Sequence, residues 1–281
     1  MKKQKKQQKT LDLISAAKKI LELQNPMTLR QTYYQLVSRH VIENNKNEYQ
    51  KLSNALVWAR QQELIPWEWI EDRTRQPREV NMWSDLNDFF ETVKKAYRRD
   101  VWETQDNYIV VWVEKDALSG IFQKITSKYG VTLVVGRGYN SWSVKKELAD
   151  TFERYEPKEP VVLYFGDFDP SGEDIFRDLE KSFYFFQISL KKIEKVSLTK
   201  EDIEKYNLPP DFAKKSDTRS KKFIAKNGDM AVELDALPAD VLREKIKSSI
   251  EKYLDIEKFK IVLGEQSQEQ YEIEEFLKVR K

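Results

Sequence analysis

The chain contains no cysteine, so disulfide frameworks and thiolate metal sites are excluded. It has a single histidine, His40. That rules out a histidine-rich zinc site and leaves little from which to build a Ser-His-Asp triad. Long apolar runs are missing too. The longest, Tyr108 to Val113, has six residues, where a membrane helix needs about twenty. The lysine-rich opening "MKKQKKQQK" is not followed by the apolar core of a signal peptide and reads as a solvated arm. The expectation is a cytoplasmic protein with no membrane partner.

What remains for chemistry is carboxylates, hydroxyls, lysine and arginine. The 281 residues are 40% apolar, with seven tryptophans, fourteen phenylalanines and thirteen tyrosines, enough to build the core of one large domain or two ordinary ones. Formal net charge is only +2, but it is unevenly spread. Residues 1–100 carry 19 Lys/Arg against 13 Asp/Glu, and residues 101–281 carry 30 against 34. A basic front and a mildly acidic back suggest a polyanion-binding module joined to something else.

The front reads as helices. Leu11, Ile14, Ala17 and Leu21 have helical spacing, and Asn25-Pro26 ends that helix. Thr28 is placed to cap a second helix over 29–42, the turn "ENNKN" follows, and a third helix over 48–62 lines up Tyr49, Leu52, Leu56 and Ala59. Trp58, Trp67 and Trp69 read as core, and His40 as structural. An extended stretch then carries Arg73, Arg75 and Arg78. Helix, turn, helix and a short basic segment is the order of a winged helix-turn-helix, whose third helix would enter the major groove. Arg60 on that helix joins the three arginines as a candidate DNA contact.

From Asn107 the period changes. "YIVVWV", "VTLVV" and "VVLYF" are short, branched and aromatic, and helical stretches separate them. Continuous apolar strands alternating with helices predict a mostly parallel sheet covered on both faces. Thr199 caps a further helix, and two more follow Pro238. The expected division is a basic arm and DNA-binding domain over 1–100, the sheet domain over 101–195 and a helical extension packed on it over 196–281.

Open parallel sheets bind ligands beyond the carboxyl ends of their strands. Glu114 follows the first strand at once, and Asp167 and Asp169 follow the third within "GDFDPSGEDI". Two aspartates one residue apart repel each other unless a cation intervenes. Either alone could serve as a helix cap. With Glu114 they make an all-oxygen set suited to Mg²⁺ or Mn²⁺.

The motifs "VEKDA", "GRGY" and "GDFDPSGEDI", in this order, resemble the A subunit of DNA topoisomerase VI and its meiotic double-strand-break relatives. "RQTYY", Arg30 to Tyr34, resembles that family's Arg-x-x-Tyr-Tyr signature, and "VELDAL" a later acidic segment. The resemblance implies a winged helix followed by a TOPRIM domain, acting as a homodimer on double-stranded DNA with an ATPase supplied by a separate subunit. It implies Glu114 as general acid/base or first metal ligand, Asp167 and Asp169 as metal ligands, and Tyr34 as the group that attacks a DNA phosphate. In that family one protomer's tyrosine meets the other's metal.

Helical spacing adds detail. Leu29, Tyr33, Leu36 and Val37 form one stripe, which makes Tyr33 core. Tyr34, about 100° further round, is expected to be exposed beside Arg30 one turn earlier. Lys115 and Arg137 flank the acids and either neutralise a phosphate or stand as solvent-exposed charges. Glu233 and Asp235 either complete a metal shell or face water. Two rival readings stand beside tyrosine chemistry: a hydrolytic nuclease using a metal-bound water, and a DNA-binding protein without catalysis. An RNA substrate is open as well.

Overall fold

The first hundred residues begin with helix α1 (Gln8–Gln24), which buries Ile14, Ala17, Ile20 and Leu21 along one stripe. Leu11, expected on that stripe, is exposed. A two-residue strand, β1 (Met27–Thr28), leads into α2 (Leu29–Ser38). Thr28 Oγ1 accepts from Gln31 N at 3.1 Å while Gln31 Oε1 accepts from Thr28 N at 2.9 Å, a reciprocal cap that fixes where α2 starts. α2 ends four residues before the sequence pattern does, because His40 takes a left-handed backbone (φ 56°) and turns the chain away. Asn45 then caps α3 (Lys46–Gln61). A short 3₁₀ turn, Trp67–Trp69, precedes β2 (Ile70–Glu71), which pairs in parallel with β1. Trp67, expected in the core, is exposed; Arg60 lies over its ring at 4.8 Å from the centroid. The computed structural model describes residues 7–71, 80–136, 142–212 and 220–279. α4 (Leu86–Ala96) follows, where the sequence reading placed no element.

The rest is organised by a four-stranded, all-parallel sheet. Its strands are β3 (Asn107–Val113), β4 (Thr132–Val135), β5 (Glu159–Phe165) and β6 (Lys192–Ser197), in the order β4-β3-β5-β6. Helices α5 (Ser119–Thr126), α6 (Trp142–Arg154) and α7 (Pro170–Phe185) make the crossovers. The right-handed rule puts α5 on one face and α6 and α7 on the other. Strands covered on both sides need apolar residues at every position, and Ile109 to Val113 and Val161 to Phe165 are buried throughout. Phe122 and Phe165 meet edge to face at 4.9 Å, and Phe152 and Phe183 pack at 5.6 Å. Each such side chain contributes roughly 1.5–3 kcal/mol by leaving water.

β6 was not legible in the sequence, and it runs past the boundary drawn at residue 195. As an edge strand it is rich in charge, "KIEKVS", which blunts an open edge and hides the apolar signature.

Beyond the sheet come α8 (Lys200–Tyr206), capped by Thr199 as expected, β7 (Asp211–Phe212), α9 (Ser220–Asn227) and β8 (Met230–Ala231). A 3₁₀ turn, Leu234–Ala236, leads into α10 (Ala239–Glu251), which packs on α5. The last helix, α11 (Ile256–Val279), is one continuous element. No helix among the described residues is long and apolar enough to cross a membrane.

Candidate active site

From β3 the crossover runs to β4 on one side; from β5 it runs to β6 on the other. The switch point lies between the carboxyl ends of β3 and β5, where a crevice opens in folds of this type. Glu114 and Asp167 stand at those two ends. The backbone of Glu114 continues the ladder, donating to Phe165 O at 2.9 Å, and Glu114 Oε2 accepts from Asp167 N at 3.1 Å and from the Tyr164 hydroxyl at 3.2 Å.

Gly166 makes this approach possible. A Cβ there would lie 2.4 Å from the Tyr164 hydroxyl oxygen and 2.6 Å from Glu114 Oε2. Gly172 does the same for the first turn of α7, where a Cβ would sit 2.4 Å from the carbonyl oxygen of Asp167. The two glycines of "GDFDPSG" are thus required by close packing at the edge itself.

Asp169 caps α7: its Oδ1 accepts from Gly172 N at 2.6 Å, and Pro170 opens the helix. The capping role open to either aspartate falls to this one. Asp167 turns the other way, into the protein. Its Oδ1 accepts from Leu234 N at 2.7 Å and lies 3.1 Å from Lys115 Nζ.

The "VELDAL" segment arrives because Phe168 and Val232 exchange two backbone hydrogen bonds of 2.9 Å in an antiparallel bridge. That bridge brings Glu233 and Asp235 against the edge, and Lys115 Nζ reaches Asp235 Oδ2 at 2.8 Å and Glu233 Oε2 at 2.9 Å. These two acids do not face open water. The cation among the carboxylates is Lys115, a largely buried ammonium shared by Asp167, Glu233 and Asp235. It is neither solvent-exposed nor turned outward to a phosphate.

The network continues to the tyrosine helix. Glu233 Oε2 also accepts from Arg30 Nη1 at 2.5 Å, and Gln35 Nε2 approaches Ala236 O at 3.5 Å. α2 is packed against the 3₁₀ turn Leu234–Ala236. Tyr33 is core, its hydroxyl donating to Asn44 Oδ1 at 3.0 Å. Tyr34, expected on the solvent side, is buried as well. Its ring meets Tyr33 edge to face at 5.3 Å, and its helix packs against a turn two hundred residues later.

The electrostatics follow from this geometry. Burial pushes Asp167 up to about 7; Lys115 opposes that rise and the charge of Glu114 adds to it. Burial likewise raises Glu114, with a further push from Asp169, against the Asp167 N–H, Lys115 and the Tyr164 hydroxyl. For Lys115 burial pulls downward, yet the three carboxylates outweigh it and hold the ammonium well above its usual range. Glu233 is lowered, since Lys115 and Arg30 overcome its burial. Tyr34 is raised, first by burial and then by Glu233, with Arg30 and Lys115 opposing.

Asp235 Oδ1 is buried with no hydrogen-bond partner. Unpaired carboxylate oxygen of this kind is costly. In donor type and charge the edge fits a divalent cation: its free ligands are carboxylate oxygens, and acids outnumber the cations beside them. Glu114, Asp167 and the outer oxygen of Asp169 are the residues that would hold one. Among the described residues no three acids are already grouped closely enough to do so, because Asp169 is drawn to its helix and Asp167 to Lys115.

Two residues of the edge escaped sequence reasoning. Lys195 on β6 donates to Asp167 O at 3.0 Å and to Glu173 at 2.5 Å, and Tyr164 holds Glu114. Tyr164 was readable only as strand core, and Lys195 belongs to the unrecognised strand. Arg73, Arg75, Arg78 and Arg137 lie outside the described residues. No family model matches the chain, and no curated protein matches it.

Proposed function

We propose that this chain is a Mg²⁺- or Mn²⁺-dependent enzyme that cleaves double-stranded DNA, of the kind found in the A subunit of DNA topoisomerase VI. The observation that carries the reading is a single charged network. It joins the carboxylate edge of a parallel sheet, through Lys115 and Glu233, to Arg30 one turn before Tyr34. Nucleophile candidate and acids therefore share one place in the fold. In this reading the first hundred residues form a winged helix that presents α3 and Arg60 to the duplex, the sheet is a TOPRIM domain, and two copies act together.

The chemistry is transesterification. Tyr34 passes its proton to solvent water as its oxygen bonds to phosphorus; the bond from phosphorus to the departing deoxyribose oxygen breaks, and that oxygen takes up a proton. Where Asp167 and Asp169 hold the cation, Glu114, whose carboxyl is raised by burial, is the group suited to supply it. Arg30 is placed to steady the phosphate once released from Glu233. A divalent cation bound at the edge supplies charge neutralisation for the phosphate.

Hydrolysis is the second reading, favoured by one observation. Tyr34 is buried and its hydroxyl is held protonated, which suits water as the attacking group. Supercoiled plasmid incubated with Mg²⁺ or Mn²⁺, then resolved with and without protease, separates the two. Protein-linked ends support tyrosine chemistry, free ends support hydrolysis, and intact plasmid under all conditions refutes both.

A further inference from the structure

Helix α3 turns one face to solvent, and that face is made of amides. Asn47, Gln50, Asn54 and Gln61 are all exposed on it, with Val57, 40% exposed, among them. At about 100° per residue these five fall within an arc of about 80°. The opposite side carries Leu52, Ala55, Leu56 and Ala59 into the core. Gln50 Nε2 donates to Asn54 Oδ1 at 3.2 Å. That leaves Gln50 Oε1 to accept and Asn54 Nδ2 to donate, neither with a partner among the described residues.

The charges lie around this stripe rather than on it. The one acid of α3, Glu48, sits about 100° round from Asn47 and is paired with Lys51. Lys51 borders the stripe on one side, and Lys46 and Arg60 border it on the other. Arg60 is set back over the Trp67 ring, off the amide face. Neutral amides between flanking cations match a groove with base edges on its floor and phosphates along both walls. The major groove of B-DNA is about 12 Å wide and admits a helix. In double-stranded RNA that groove is too narrow for side chains to read. A protein partner fits less well, since the stripe offers no aromatic or arginine anchor.

We infer that α3 reads sequence, and that what it reads is a short run of A·T pairs in the major groove. Asn and Gln pair with adenine through N6 and N7, and an apolar side chain such as Val57 meets the thymine methyl. Guanine is read by Arg or Lys and cytosine by an acid, and the stripe holds none of these. From Asn47 to Gln61 the helix rises about 21 Å, the length of about six base pairs. Gln50 and Asn54 are then specificity-determining residues, which select where the chain sits before any strand is cut. The inference rests on the DNA-binding part of the proposed function and not on its cleavage chemistry.

Selection from randomised duplexes tests it, using the full chain with chelator present so that no cleavage intervenes. Wild type is expected to enrich an A·T run of about four to six base pairs. It is expected to prefer that run to a G·C duplex by at least about fivefold, the lower end for one bidentate contact. Asn54→Ala and Gln50→Ala remove exposed amides, so thermal unfolding is expected to match wild type while the preference falls about fivefold or more. In the selected site, 7-deazaadenine at the position that Asn54→Ala relaxes removes only N7. It is expected to weaken wild-type binding and to cost the Asn54→Ala chain nothing further. Duplex binding that enriches no sequence, or enriches G·C, overturns the inference and leaves the cleavage reading standing. So does a loss in the variants that is equal on both duplexes. A chain that binds no duplex at low salt overturns both.

Discussion

Replacing Lys115 with methionine tests the electrostatic account of the site most directly. Methionine keeps the unbranched stem and removes the charge. In the folded protein Lys115 Nζ lies 2.8 Å from Asp235, 2.9 Å from Glu233 and 3.1 Å from Asp167. Taking one member out of a buried ion pair costs about 3–5 kcal/mol, because its partner keeps the desolvation penalty without the compensation. Arg30 still serves Glu233, which favours the lower half of that range. At roughly 2–4 °C per kcal/mol for a chain near this size, the melting temperature should fall by about 6–16 °C in metal-free buffer at pH 8.

The pH dependence carries the sharper signature. The folded pKa of Asp167 is about 7, above the about 4 of an unfolded aspartate. The folded state therefore holds that proton more tightly. The stability it lends is fully present below pH about 4 and is lost as pH rises through about 7. Losing Lys115 removes the main influence holding Asp167 down, so the deficit of Lys115→Met should be largest at pH 8 and shrink towards pH 5, where protonation relieves the repulsion. Thermal unfolding followed by circular dichroism at both pH values, with chelator and then with millimolar Mg²⁺, measures this. Added Mg²⁺ should recover part of the loss in the variant, by about 2.7 kcal/mol at a hundredfold excess over its dissociation constant. A variant within about 2 °C of wild type at pH 8, which is about 0.5–1 kcal/mol, or a deficit that grows on acidification, would refute the role of Lys115 as internal counter-ion.

Tyr34→Phe should eliminate protein-linked DNA ends while leaving duplex binding unchanged in a gel-shift assay, whereas Tyr33→Phe should retain cleavage and lose about 1 kcal/mol of stability with its hydrogen bond to Asn44. Gly172→Ala places a methyl group 2.4 Å from the Asp167 carbonyl oxygen, so urea unfolding should show a loss of about 1–3 kcal/mol; an unchanged midpoint would mean the turn is slack. Mixing Tyr34→Phe with Glu114→Gln distinguishes a site shared between chains from one built within a single chain. Restored plasmid cleavage in the mixture indicates sharing, and continued inactivity indicates that each Tyr34 works with its own chain's acids.

The parts of the fold legible in the sequence are those whose burial is decided by neighbours close in the chain. The two central strands, β3 and β5, announced themselves because each is covered on both faces and buried along nearly its whole length, and β4, at one edge, showed through its branched apolar run. The cap at Thr28 and the break at Asn25-Pro26 are local chemistry of a few residues. β6 stayed hidden since an edge strand may carry charge, with Lys192, Glu194 and Lys195 in six residues. α4 is strongly periodic, yet none of its residues is buried, so no core packing marks it out.

The candidate site divides along the same line. Glu114, Asp167 and Asp169 stand where strand-terminal acids of a parallel sheet must stand, so their neighbourhood follows from strand order alone. Which acid does what does not follow, because it depends on contacts made across long stretches of chain. Asp169 answers to its own helix, while Asp167 answers to Leu234 and Lys115. The repulsion between two aspartates one residue apart is relieved first by turning them in opposite directions, and only then by a cation. That cation, Lys115, is the residue next to Glu114, and it reached the acids through a backbone bridge between Phe168 and Val232 that no period in the sequence foretells. The burial of Tyr34 has the same origin. The bridge that delivers Glu233 to Lys115 also delivers it to Arg30, so one pair of backbone hydrogen bonds sets the charge state of the acids and the cover over the tyrosine together. Any change that opens this bridge should therefore move both, whereas a phosphate that takes Arg30 from Glu233 leaves burial, the larger reason Tyr34 keeps its proton, in place.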